Sequence, residues 1–393
     1  ASRPEGPYGG VTPPPNSGAA FDPPIAPQNR SPNPNPPPVA IIVKKNAAGQ
    51  WMDDNNGNWT SLVSGQLAAL SGRPVGWDLY DHDVAVIDAA SLGVTYATGL
   101  MNLCMNLAVH PTTGAITVIG TDGTNEIRFE PNINGTFVRV LFSSVNAATL
   151  TPATVDLNPH LTYATSTIPQ ADRNKSIGDP RGLVWNAAGT VGFIAGMGSN
   201  NVAFVSAAGT RAATDVVGVG NGPTGLALDE ARSSLYVLNK FDATISVVNT
   251  ATRTLAATVP FHDPTPAAIK IGRKHLYDTH KNSGLGQAAC ASCHVDARMD
   301  RLAWDLGDPQ GSPIAVTSPT RNLGANVPGL NTGFQPYHPM KGPMTTQTFQ
   351  DIIGKEPHHW RGDRLGIEEF NPAFIGLQGD DANLTPAEMQ EFE

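Results

Sequence analysis

From Val39 to about Ile271 the chain runs as short apolar stretches separated by Gly, Pro, Asn and Asp. Runs of this kind, punctuated by turn residues, predict β-strands joined by tight turns. Stacking the runs brings out an internal repeat. Gly225-Leu226-Ala227-Leu228-Asp229 leads to Ser234-Leu235-Tyr236-Val237-Leu238-Asn239, and then to Ala243-Thr244-Ile245-Ser246-Val247-Val248-Asn249. Forty-three residues earlier, Gly182-Leu183-Val184-Trp185-Asn186 leads to Val191-Gly192-Phe193-Ile194-Ala195 and then Asn201-Val202-Ala203-Phe204-Val205. A third copy is Leu107-Ala108-Val109-His110-Pro111, Ala115-Ile116-Thr117-Val118-Ile119 and Asn125-Glu126-Ile127-Arg128-Phe129. Asp83-Val84-Ala85-Val86-Ile87-Asp88 is a half copy.

A period of about forty residues with three or four strands per unit predicts a β-propeller. The unit that contains Tyr236-Val237-Leu238-Asn239 resembles the YVTN family of propeller repeats. Four blades are recognisable, with a fifth as the upper count. A closed ring usually needs more, so the expectation is that some blades are degenerate or come from other chain. The segment from about 140 to 177 does not fit the repeat and reads as a long insertion. The blade loops carry no charged or aromatic cluster, which favours a scaffold over a binding platform.

The flanks differ in character. Residues 1–38 hold 13 of the 34 prolines and read as an extended polyproline arm, either laid along a partner or solvated. Near Ile271 the strand pattern gives way to a mainly α-helical region over 271–393. The fold class expected is therefore multidomain: a proline-rich arm (1–38), an all-β propeller (39–270) and a third domain (271–393). Leu384-Thr385-Pro386-Ala387-Glu388 is a helix start, with Thr as N-cap, Pro at N1 and Glu at N3. Fewer than three turns follow, and a helix that short is marginal alone, so the expectation is that the polypeptide continues.

Composition narrows the classes. Hydrophobic residues make up 40% and charged residues only 15%, with 40 Gly, as suits a turn-rich β protein. The net charge is −9 and no basic run exists, which argues against nucleic acid as a partner. No apolar stretch reaches membrane-spanning length. The chain starts at Ala1 rather than Met, as after removal of a signal peptide. Cys104, within the apolar run Leu100–Met105, reads as a buried, inert thiol. The run Asp53-Asp54-Asn55-Asn56-Gly57-Asn58 has oxygen ligands suited to calcium but lacks the spacing of an EF-hand loop, so an ordinary turn is the better reading.

The strongest chemical signal is Cys290-Ala291-Ser292-Cys293-His294. C-x-x-C-H is the attachment signature of haem c. Cys290 and Cys293 would bond the porphyrin covalently, and His294 would be the proximal iron ligand. A zinc site would need a second Cys pair, which the 3 cysteines cannot supply. Haem c is attached outside the cytoplasm, so a periplasmic or extracellular location is expected.

Around this motif, Gly272-Arg273-Lys274-His275-Leu276-Tyr277-Asp278 lies upstream, then Gly284-Leu285-Gly286. Downstream come His359-Trp360-Arg361-Gly362-Asp363-Arg364 and Ile367-Glu368-Glu369-Phe370. This order resembles the di-haem cytochrome c peroxidase and MauG superfamily over about 268–393, which implies that 271–393 is a mainly α-helical c-type cytochrome domain. The resemblance implies a distal ligand in the loop Tyr337–Met344. His338 is its closest counterpart, Met340 and Met344 are rivals, and an open iron is the remaining alternative. It also implies an aromatic electron relay, for which Trp304 and Trp360 are candidates beside the plain reading of packing against the porphyrin. Glu356 is the carboxylate nearest this cluster in sequence, while His275 and His280 read as structural or surface residues rather than ligands. The family mechanism uses two haems, and no second C-x-x-C-H occurs in these 393 residues. A second haem would lie in a C-terminal continuation. Two functions are expected on these grounds: a peroxidase-like haem oxidoreductase, or an electron-transfer subunit docked to a larger complex by its propeller and arm. Either requires a redox partner protein.

Overall fold

The computed structural model describes residues 40, 42–53, 57–124, 133, 135–308, 311–314 and 336–393. The proline-rich arm and the strand expected at 125–129 lie outside these residues. The chain divides into two compact units, one comprising 81–124, 134–295 and 371–393, the other 1–80, 125–133 and 296–370.

The first of these units is built from three four-stranded antiparallel sheets and one hairpin. The hairpin pairs Val84–Ile87 with Val94–Ala97. The first sheet runs through Leu103–Val109, Ile116–Gly123, Val138–Val145 and Pro152–Asp156. The second runs through Pro180–Trp185, Gly192–Gly196, Asn201–Val205 and Val216–Gly218. The third runs through Pro223–Asp229, Ser234–Asn239, Thr244–Asn249 and Thr254–Pro260. Each sheet is a meander in which every strand lies beside its chain neighbour. The leading strand of the second sheet packs against the leading strands of the first and third. This is a propeller-like β architecture.

The repeat goes deeper than strand count. Each leading strand skips one residue of register near its start, leaving Met105, Arg181 and Thr224 bulged. A bulge at the same place sharpens the local twist in the same way three times.

Apolar faces stack from sheet to sheet. Ile119, Val140 and Phe142 of the first meet Ile194, Ala203 and Val205 of the second. Phe193, Val202, Phe204 and Val217 of the second meet Leu235, Val237 and Val248 of the third. The hairpin closes on the first sheet through Val84, Ala97, Val118 and Val145. Each fully buried side chain of this size contributes about 1.5–3 kcal/mol. Polar ties join adjacent turns: His110 Nε2 lies 2.8 Å from Gly189 O, and Ala187 N donates to Glu230 Oε1 at 2.7 Å.

Two expectations need correction here. The segment from 140 is no insertion at its start: Val138–Val145 and Pro152–Asp156 are the third and fourth strands of the first sheet. The alternation Val138, Val140, Phe142 is a strand pattern displaced from the repeat by the chain between Gly123 and Val138. The departure from the repeat is confined to 157–179. Cys104 is exposed rather than buried. Its strand alternates faces, with Leu103 and Met105 half-covered and Cys104 turned away. Partial desolvation, with the Asp83 and Asp81 carboxylates nearby, pushes its thiol up to about 11, so it stays protonated near neutrality.

Residues 271–393 are less helical than expected. Helices cover Ala267–Tyr277, Thr279–Asn282, Cys290–Cys293, Ala373–Gly376 and Pro386–Phe392, and most of the described chain between 296 and 370 is turns and irregular backbone. Pro336, Pro339, Pro343, Pro357, Gly342, Gly354 and Gly362 break any helical period there. No helix among the described residues is long and apolar enough to cross a membrane.

In the second unit, Lys44–Lys45 pairs with Trp51–Met52, and Trp51, Trp59, Leu62 and Val63 form a small core. Asp53 is buried, its Oδ1 accepting from Gly57 N at 2.7 Å and its Oδ2 from Trp59 Nε1 at 2.8 Å. Both carboxylate oxygens thus tie Asp53 to Gly57 and Trp59. Residues 54–56 of the calcium candidate lie outside the described residues.

The stacking order makes Leu235→Ala a test of the blade interfaces. It should lower unfolding free energy by about 2–5 kcal/mol, read by urea denaturation, whereas a loss under about 0.5 kcal/mol would mean the second and third sheets do not share a core.

Candidate functional site

Cys290–Cys293 is a single helical turn with a thiol at each end. Residues three apart on a helix lie on one face, so the two sulfurs share a side. Ser292 fixes the start of the turn, its hydroxyl accepting from Ala289 N at 3.0 Å. His294 caps the end, its backbone N–H donating to Cys290 O at 3.0 Å. None of the three cysteines is in a disulfide. Burial pushes the Cys290 thiol up to about 11.

The turn is mounted on the blades by its upstream chain. Thr279 N donates to Gly198 O at 2.9 Å, at the turn between the second and third strands of the second sheet. His280 Nε2 lies 2.9 Å from Ser176 O, and Ser176 Oγ donates to Leu285 O at 2.7 Å. Gln287 Nε2 donates to Gly135 O at 2.8 Å. His275, Thr279, Asn282, Ser283 and Gln287 are all fully buried, so the mount is a polar interior held by directed bonds. The 157–179 segment is its other half. Asn158 Nδ2 donates to Ile177 O at 3.0 Å, and Arg173, almost fully buried, bonds Asp380 at 3.0 Å and also pairs with Asp381.

Glycine is required where these strands of chain converge. A Cβ on Gly284 would collide with the carbonyl oxygens of Gly379 and Ser166. One on Gly198 would press on Thr279 and Tyr277 O. The C-terminal helix Pro386–Phe392 has the expected capping box of Thr385 and Glu388. It is pinned to Ala267–Tyr277 by Glu391, which bonds Lys274 at 2.7 Å and His275 at 2.9 Å. His275 and His280 thus each hold part of this mount, through Glu391 and Ser176 O.

The remaining candidates belong to the unit of 296–370, which gathers them into one cluster. Ala303–Trp304 pairs with Met344–Thr345, placing Trp304 opposite Met344. Trp304 is buried, and its Nε1 donates to Asp300 Oδ2 at 2.8 Å. Trp360 is 61% exposed and donates to Thr345 O at 2.7 Å. The Arg361 guanidinium donates to His338 O and to Met340 O, each at 3.1 Å, clamping that loop. Within it, Met340 N donates to His338 Nδ1 at 3.0 Å, and Met340 is buried. Asp363 anchors the other side, with His359 Nδ1 at 2.8 Å. Burial raises the Asp363 carboxyl, but the His359 hydrogen bond and the charges of His359, Arg364 and Lys341 outweigh it and hold the group at about 2. Glu356 Oε1 is 3.8 Å from His358 Nε2.

The supporting residues Ser292, Gln287, Ser176 and Arg173 were not legible as such from the sequence. Arg361 and Asp363 were visible as members of the W-R-G-D-R element, but their roles as clamp and anchor were not. Among the described residues no group of three or more His, Cys, Asp or Glu side chains is gathered to hold a metal ion by itself.

No protein-family model and no curated protein matches the chain. Among solved structures it is similar to a chain of a nidogen/laminin complex (13% identity, 45% of this chain and 55% of that one, TM-score 0.32). It is also similar to hydrazine synthase of Kuenenia stuttgartiensis (16%, 42% and 51%, 0.31) and to the WD40 repeats of RRP9 (13%, 46% and 45%, 0.29). The matches thus span about half the length of those chains.

Two tests probe the mount. Gly284→Ala should lower the thermal midpoint by several degrees, and an unchanged midpoint would contradict the close approach. Burial holds His160, His275 and His280 below the ordinary histidine value. Such groups bind fewer protons folded than unfolded, so their contribution is complete above about pH 6.5 and is lost as pH falls below it. The thermal midpoint should fall between pH 7 and pH 5.5, with a shallower fall in His160→Gln; a flat profile in the parent would contradict it.

Proposed function

We propose that this chain is an exported c-type haem redox protein, with haem c bonded to Cys290 and Cys293 and ligated by His294. The observation that carries this reading is the single helical turn that sets two thiols on one face and is followed directly by a histidine. Haem c, when bound, supplies an iron that gains and loses one electron. The small buried residues Ala288, Ala289 and Ala291 leave the turn without bulk of its own, as a porphyrin edge would require.

The loop clamped by Arg361 is the proposed source of the sixth ligand. With Nδ1 of His338 taken by the Met340 amide, a bond to iron would be made by Nε2. Met340 and Met344 remain the thioether alternatives, and either would raise the reduction potential relative to histidine. Trp360, with its exposed indole, suits contact with a redox partner protein. Trp304, held by Asp300, suits packing against a porphyrin.

Resemblance to the di-haem peroxidase and MauG superfamily makes a peroxidase-like oxidoreductase the first version of this reading. The second version is an electron-transfer subunit, docked to a larger complex by its propeller and proline-rich arm.

Acid–acetone extraction should leave haem on the parent chain and remove it from Cys290→Ala/Cys293→Ala, with the alkaline pyridine spectrum of haem c in the parent. Haem extracted fully from the parent would end the reading. The ferric EPR spectrum separates the two versions. A high-spin signal that changes on adding peroxide supports catalysis. A low-spin signal that ignores peroxide supports electron transfer, and its conversion to high spin in His338→Ala would identify the sixth ligand.

A further inference from the structure

The blade array has two end faces, and both are apolar. At the trailing end, Leu235, Val237 and Val248 of the third sheet face the second. Side chains alternate along a strand, so Tyr236 and Leu238 point the other way. The register aligns Ala227, Tyr236, Val247 and Ala257 in one row across the four strands, and Gly225, Leu238, Ile245 and Val259 in the next. This outer face carries no charged residue in either row, yet Leu238 is 40% and Val259 53% exposed. At the leading end, Val84 and Ala97 face the first sheet, and the opposite side of the hairpin presents Ala85 across from Tyr96, on whose ring His82 stacks, and Ile87 across from Val94. Ile87 is 60% and Val94 45% exposed. The faces between the three sheets are covered by the neighbouring sheet, and the two-stranded hairpin covers part of the first sheet's leading face, leaving Leu107 and Val109 exposed at its edge. Bare sheet faces of this sort mark interaction sites.

We infer that these two faces are the halves of one interface, and that each is covered by the other end of a second copy of this chain. The argument is continuity with the interfaces already formed. Within the chain, the trailing face of each sheet meets the leading face of the next, always apolar on apolar. The end faces continue that series in the same sense, trailing to leading, so the contact they make is heterologous. One such contact would leave both outer ends bare and would propagate. Two copies related by a two-fold axis make the contact twice and close. The described residues hold three sheets and a hairpin, four blade positions, so two copies of them provide eight, within the four to eight blades that propellers use.

Sedimentation velocity on the full chain tests this, with Val94→Asp and Val259→Asp as variants that disable one end each. Both positions are exposed in the single chain, and far-UV circular dichroism checks that the sheets survive. A second pair, Ile87→Lys and Leu238→Lys, replaces any variant that unfolds. The parent should sediment as twice the 41.2 kDa chain, and each variant alone as a monomer. Mixing the two variants should restore a dimer of weaker affinity, because one intact trailing face meets one intact leading face. A parent that is monomeric at every concentration, or that grows beyond two copies, overturns the closed ring. So does a dimer that survives either substitution.

Discussion

The structure depends on one constraint: a four-stranded sheet has two faces, and a blade is stable when a neighbour covers at least one of them. The second sheet meets this fully, with Phe193, Val202 and Phe204 on one side and Ile194, Ala203 and Val205 on the other. Adjacent residues of one strand therefore serve opposite interfaces, which is why its central strands are buried throughout. The first and third sheets are anchored to it, and the hairpin to the first. The 157–179 segment joins that stack through Leu157 and Ile177 in the shared core, and the chain leading to Cys290 is attached to it largely through turns.

The attachment is of a different physical kind. Blades adhere by area, whereas the chain leading to Cys290 is held by hydrogen bonds between buried polar groups. Area tolerates small shifts in register, but a network of buried Asn, Ser, Gln and His side chains does not, because each misplaced group loses its partner away from water. Asn201 Nδ2 bonding Ser176 O and Arg211 bonding both Leu157 O and Lys175 O extend this network into the second sheet. A short turn bearing two thiols, which has almost no stability of its own, thereby takes up a fixed place on a stiff support.

The same division decides how much of the molecule is legible in its sequence. Repeating apolar runs were legible because packing against a neighbour imposes period two on every blade, and the half copy at Asp83–Asp88 marked the hairpin. The first sheet misled where its third strand stands apart from the repeat, since alternation over Val138–Val145 is local and a repeat search looks at fixed offsets. Cys104 misled because an apolar run does not say which of its residues face inward. The C-x-x-C-H turn was legible because its geometry is contained in five consecutive residues. Its mount was not, because Ser176, Arg173 and Gln287 act over more than a hundred residues of sequence on partners that share no spacing.

The C-terminal helix shows how local reasoning and tertiary structure can both be right. Thr385, Pro386 and Glu388 specify its start, and the capping box forms as specified. By itself a helix of seven residues is marginal. Here its stability comes from outside: Glu391 reaches Lys274 and His275, Glu388 reaches Lys281 at 2.8 Å, and Phe392 packs edge-on against Phe374. Gly272 admits the close approach, since a Cβ there would collide with Glu391 O. Both lysines are partly exposed, so the ion pairs alone contribute little. The buried His275 contact and the aromatic pair supply the rest, and they tie the helix to the element that leads into the cysteine turn. A helix too short to stand alone thus becomes a brace for the chain that carries the two thiols.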